Sequence, residues 1–108
     1  MSTEFENIQV LALVQAMIGS VGPNFRRVTL DAKVAGVVRL FFLLEHEDRS
    51  DREEIDEISF EFEALQGRGI SVEVSVICDS RRIEEIDLPG RVVFGRRECA
   101  SDGDTKPL

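Results

Sequence analysis

SDREEIDEISFEFEALQ, residues 50–66, reads as one amphipathic helix. Ile55, Ile58, Phe62 and Leu65 recur at three- and four-residue spacing, which puts them on one side of an α-helix. Ser50, followed three residues later by Glu53, forms a capping box: hydroxyl and carboxylate each satisfy a free backbone amide at the helix start. Gly67 ends the element. An apolar stripe of this kind has to be laid on another element, and the segments on either side read as strands.

Upstream, residues 25–31 are β-branched and alternating, and residues 34–45 form a second strand. The short connection through Ala32 and Lys33 suggests a hairpin. Val38, Leu40, Phe42 and Leu44 share one side of that second strand, and Val37, Phe41 and Leu43 the other, interrupted by Arg39. Two apolar sides mark a central strand whose outer face is either covered or sticky. Downstream, Ile70, Val72, Val74, Val76 and Cys78 alternate with Ser71, Glu73 and Ser75, and residues 91–97 form a last short strand after the turn at Pro89-Gly90. Before all of these lies a helix over residues 4–21, with Thr3 as its N-cap, Glu4 and Glu6 in its first turn, and Gly22-Pro23 as its stop. Leu11, Val14 and Ile18, widened by Val10 and Met17, form its expected core stripe. Phe5, Ile8, Ala12 and Ala16 spread apolar character further round, so the helix is either sandwiched in the core or shared with a partner.

The order α-β-β-α-β-β predicts an α+β fold, a two-layer sandwich of one four-stranded sheet with both helices on one face. The crossover through the second helix leaves open a parallel pairing of the two central strands, which would then be connected right-handed. With 108 residues the chain fits a single domain, assigned to residues 1–99, and the polar Ser, Asp, Gly and Pro-containing stretch 100–108 reads as a disordered tail. Such a domain buries roughly two thirds of its unfolded surface, enough for one core.

Charge narrows the function classes. The net charge is −8, which disfavours direct nucleic-acid binding, repels an anionic membrane and attracts a basic protein. Residues 45–63 carry Glu45, Glu47, Asp48, Asp51, Glu53, Glu54, Asp56, Glu57, Glu61 and Glu63 against only Arg49 and Arg52, so this one stretch accounts for the whole net charge. A solvated helix face explains many such runs. Phe60 tilts the reading toward function, because it falls nearly opposite the core stripe, with Asp56, Glu57 and Glu63 as its helical neighbours. An aromatic anchor ringed by carboxylates suits a basic protein surface. The predicted partner-binding set is Asp56, Glu57 and Phe60, with Glu53, Glu63, Glu47 and Asp48.

Catalysis and metal binding find little support. No phosphate-cradling glycine loop or nucleophile elbow is present, and the carboxylates line an exposed helix where no cleft raises a pKa. His46 stands between Glu45 and Glu47 on a diverging strand end, with no second His or Cys near it, so no metal or other cofactor is expected. Cys78 and Cys99 form no C-x-x-C pair; they read as reduced thiols, or as a disulfide if their strands pair. The apolar run at residues 8–18 is too short to span a bilayer and has the wrong flanking charge for a signal peptide, which leaves the cytoplasm as the default. Arg26, Arg27, Arg81, Arg82, Arg91, Arg96 and Arg97 read as internal partners of Asp and Glu, with an RNA-binding stripe as the sharper alternative.

The helix leading into Gly22-Pro23-Asn24-Phe25-Arg26, the acidic helix from Asp51-Arg52-Glu53-Glu54-Ile55 to Phe60-Glu61-Phe62-Glu63-Ala64-Leu65, and the Leu88-Pro89-Gly90-Arg91 turn before Val92-Val93-Phe94 together span most of residues 4–98. On these features the chain resembles the small acidic immunity proteins of bacterial contact-dependent and other polymorphic toxin systems. The resemblance implies a cytoplasmic, non-enzymatic protein that binds a cognate toxin domain, often a basic nuclease, and blocks its active site or a nearby surface. The absence of Trp and Tyr departs from a typical tight interface. Two other readings stand beside it: a homodimeric adaptor or assembly protein joined through Phe5, Ile8, Phe41 or Leu43, and a small enzyme using a carboxylate or Cys78.

Overall fold

Val38, Leu40, Phe42 and Leu44 are all fully buried along one strand, which makes that strand the spine of the molecule. The computed structural model describes residues 3–98; the tail expected at 100–108 and the pairing of Cys99 lie outside the described residues. The elements are α1 (Thr3–Met17), β1 (Phe25–Asp31), β2 (Val37–Leu44), α2 (Arg49–Ala64), β3 (Ser71–Cys78), a single 3-10 turn (Ile83–Glu85) and β4 (Arg91–Gly95). The strands form one mixed sheet in the order β3-β2-β1-β4. β1 pairs antiparallel with β2 and β4, and β2 pairs parallel with β3. The expected α+β order is present, and the parallel pair is the one joined through the second helix. β3 is an edge strand rather than a central one.

The register sorts the side chains. Phe25, Val28 and Leu30 of β1 stand opposite Leu44, Phe42 and Leu40 of β2. They share a core with Leu13, Ala16 and Met17 of α1 and Ile55, Ile58 and Phe62 of α2, so both helices lie on this face. Phe25 and Phe42 meet edge to face at 6.4 Å between ring centroids. Each fully buried side chain of this size contributes about 1.5–3 kcal/mol.

The opposite face carries Arg27, Thr29 and Asp31 beside Leu43, Phe41 and Arg39. Residues 79–90 must cross it, because β3 and β4 lie at opposite edges of the sheet. Thr29 Oγ1 donates to Pro89 O at 2.7 Å, which fixes the crossing over β1. Leu43 and Thr29 are buried and Phe41 is half-buried, so the second apolar side of β2 is largely covered from within the chain. Gly90 is required where the crossing enters β4: its φ is +91°, and a Cβ there would lie 2.5 Å from Leu30 O.

Several expectations need correction. The core side of α1 is not the Leu11, Val14 and Ile18 stripe, which is exposed; Leu13, Ala16, Met17 and Gln9 face inward instead. No charge stands between Asn7 and Met17 to mark a solvent side, and the polar marker Gln9 is itself buried, so helical period alone had two equivalent answers. α1 stops at Met17 rather than at 21, turning through Gly19 at φ +80°. It begins at Thr3 itself, so Thr3 is not its cap. α2 begins at Arg49, and its cap is Asp48, whose side chain accepts from Asp51 N at 3.0 Å; the Ser50 capping box does not form. Leu65 falls beyond the helix and is half-exposed. β2 begins at Val37 and β4 ends at Gly95. Cys78, at the end of the alternating set of β3 whose Val72 and Val76 pack against the core, is itself exposed.

Candidate partner-binding face

The position of α2 is set from both ends. Asn24 Nδ2 donates to His46 O and to Asp51 Oδ2, each at 2.8 Å, while His46 N donates to Asn24 Oδ1 at 3.1 Å. One amide thus staples the start of β1 to the loop and first turn of α2. Sequence reading did not single out Asn24; its only signal there is its place directly after Pro23. Toward the other end, Ile55, Ile58 and Phe62 lock the helix onto the sheet.

With that stripe fixed inward, Phe60 points outward and is 72% exposed. On the helix, Glu53, Asp56, Glu57 and Glu63 lie within about 60° of it, given 100° per residue. All four are exposed. Glu53 meets Arg49 at 3.9 Å, a pair open to water on both sides. Among the described residues, Glu54, Asp56, Glu57, Glu61 and Glu63 make no ion pair. Glu53, Glu54, Asp56, Glu57 and Glu61 line an open groove with Ala16 and Ser20 of α1. Negative charge along this groove is therefore left for solvent or a partner.

Glu47 and Asp48 sit apart, about 18 Å from Phe60 along the axis at 1.5 Å per residue. Both already have partners. Asp48 caps the helix. Glu47 takes two hydrogen bonds from Arg52, each 2.8 Å, and Arg52 holds its carboxyl below the ordinary value. Cys78 Sγ lies 3.5 Å from Glu47 Oε1. Desolvation and then the Glu47 carboxylate push the Cys78 thiol up, so it stays protonated at neutral pH, the reverse of what an activated nucleophile needs.

Of the seven arginines singled out in the sequence, Arg26, Arg81, Arg82, Arg91 and Arg96 pair with acids, and Arg27 and Arg97 make no ion pair among the described residues. Arg26, only 3% exposed, donates to Glu98 at 2.9 Å and to the carbonyls of Asp79 and Arg81 at 2.8 and 2.7 Å. Arg96 reaches Glu45 at 2.7 Å and Glu98 at 3.3 Å. Arg81 grips Asp79 so closely that the Asp79 carboxyl is held down at about 2. Arg82 pairs with Glu84, and Arg91 meets Asn7 and Glu6. This pairing consumes most of the positive charge that an RNA-binding stripe would need.

No helix among the described residues is long and apolar enough to cross a membrane, and no three His, Cys, Asp or Glu among them converge as metal ligands. The described residues thus form a small α+β domain with unpaired acids on one helix and a thiol that is held protonated. A family model for MafI2 immunity proteins matches residues 7–98, and the chain belongs to that family. Membership implies neutralisation of a cognate toxin, and proteins of this kind are typically non-enzymatic. No curated protein matches the chain.

Proposed function

We propose that the chain neutralises its toxin by docking the outer stripe of α2 on a basic protein surface, with Phe60 as the anchor. The observation that carries this reading is an aromatic ring held 72% exposed among carboxylates of which Asp56, Glu57 and Glu63 make no ion pair among the described residues and Glu53 meets only Arg49, at 3.9 Å. Asp56, Glu57, Glu53 and Glu63 form the rim around the ring, while Glu47 and Asp48 extend the acidic field at the far end of the helix. If the toxin is a nuclease, its substrate phosphates bind a basic surface, and these carboxylates take the places of those phosphates. The encounter is set in the cytoplasm, where the free Cys78 thiol stays reduced.

The test is the association rate of the chain with its cognate toxin, followed over a range of salt. Steering between opposite charges speeds association by tenfold or more at low ionic strength and fades as the Debye length shortens. The rate is expected to fall steeply with added salt. Asp56→Lys with Glu57→Lys should flatten that dependence and slow association at least tenfold. A rate indifferent to salt in the parent chain contradicts the reading.

A further inference from the structure

We infer that the outward apolar stripe of α1 is the second half of the docking face, and that its occupant is an apolar ridge on the toxin bordered by Lys and Arg. The inference rests on the docking of α2 proposed above and adds to it a separate surface. Ile8, Leu11 and Val14 are exposed large hydrophobic residues on one side of α1, and Ile18 just past its end continues the stripe, with Leu11 at 68% and Ile18 at 76%. Isolated exposed apolar residues are ordinary, but four in one stripe form a patch that marks an interaction site.

The patch adjoins the acidic stripe. α1 packs beside α2, and Ala16 and Ser20, at and just past the C-terminal end of α1, share a groove with Glu53, Glu54, Asp56, Glu57 and Glu61. The sheet lies beneath both helices, so the outward stripes of α1 and α2 belong to one continuous surface, apolar along α1 and acidic with a single ring along α2.

Area and charge together choose the occupant. From Ile8 to Ile18 the stripe is about 15 Å long and a helix is about 10 Å wide, so it offers on the order of 150 Å², against roughly 800 Å² per partner in a stable interface. The stripe suffices only if the acidic surface beside it is buried too. A second copy would bring like charges together, because Glu54, Asp56, Glu57, Glu61 and Glu63 lack counter-charges and the chain carries −8 overall. A partner with basic residues flanking an apolar ridge meets both halves at once. The dimer contacts expected from sequence are mostly absent as well: Leu43 is buried, Phe5 and Phe41 are partly buried, and only Ile8 of that set is exposed.

The experiment measures binding of the full chain to its cognate toxin, for the parent, Leu11→Gln with Ile18→Gln, and Asp56→Lys with Glu57→Lys. Gln keeps the helix propensity at Leu11, and Ile18 is an exposed position past the helix end, so the variant should unfold at the parent midpoint. Its complex should dissociate at least tenfold faster at both low and high salt, with an unchanged association rate. Leu11→Ala alone should show the same direction if the double variant does not fold. Dissociation at the parent rate overturns the inference while leaving the α2 reading intact. Normal binding by the lysine variant overturns the α2 reading instead. A parent chain that sediments as a dimer, and becomes monomeric in the glutamine variant, gives the stripe to a second copy and also overturns the inference.

Discussion

Phe62→Ala is expected to lower the unfolding free energy by about 3–5 kcal/mol, the cost of removing a buried phenylalanine and leaving its cavity. Phe62 is fully buried in the cluster shared by both helices and the spine strand. A domain of this size is stable by about 5–15 kcal/mol in total, so the loss takes the protein close to unfolding at ambient temperature. The chain has no Trp or Tyr, so the measurement is urea titration followed by far-ultraviolet circular dichroism. Phe60→Ala, two residues earlier on the same helix, should leave the midpoint within about 0.5 kcal/mol of the parent, as exposed positions do. A large loss at Phe60, or a small one at Phe62, would show that the two sides of α2 have been exchanged.

Arg26→Ala should be nearly as costly, at about 3 kcal/mol, the lower end of what breaking a buried ion pair removes. The guanidinium sits within hydrogen-bonding reach of Glu98 and of the carbonyls of Asp79 and Arg81, and 3.7 Å from Glu45. Truncation leaves the carbonyls of Asp79 and Arg81 without this donor and Glu98 with Arg96 alone, and releases the point where the 79–90 crossing leaves β3. Arg26, and then Arg96, hold the Glu98 carboxyl below its ordinary value. The stability this supplies is fully present above the usual glutamate range and is lost as pH falls through the lowered value. The Arg26→Ala protein should therefore be less stable than the parent at neutral pH, with the gap narrowing in acid. Thermal unfolding at several pH values reads this directly. A gap that stays constant down to low pH would place the energetic role of Arg26 elsewhere than in its pairing with Glu98.

The fold was legible where two signals agreed. β1 has the same bounds in sequence and structure because alternation and flanking turn residues coincide at Phe25 and Asp31. α2 was legible because charge and apolar period mark opposite sides, so the exposure of Phe60 followed from the wheel alone. α1 was not, because a helix apolar nearly all round carries no mark of which side the sheet takes, and the buried Gln9 points the wrong way. The cap moved from Ser50 to Asp48 because both residue types cap well, and Asn24, distant in sequence, binds Asp51 and the adjoining loop. Glu47 and Asp48 looked equivalent to Asp56 and Glu57 as charges. Their pairing with Arg52 and with a backbone amide depends on the fold.

The most direct test of the docking account is the dissociation constant of Phe60→Ala for the toxin, taken alongside its unfolding midpoint. Losing an anchor of about 2 kcal/mol raises that constant roughly thirtyfold. The expected result is that rise with an unchanged midpoint. Parent-like affinity in a variant that is demonstrably folded would contradict the account and move the interface off α2.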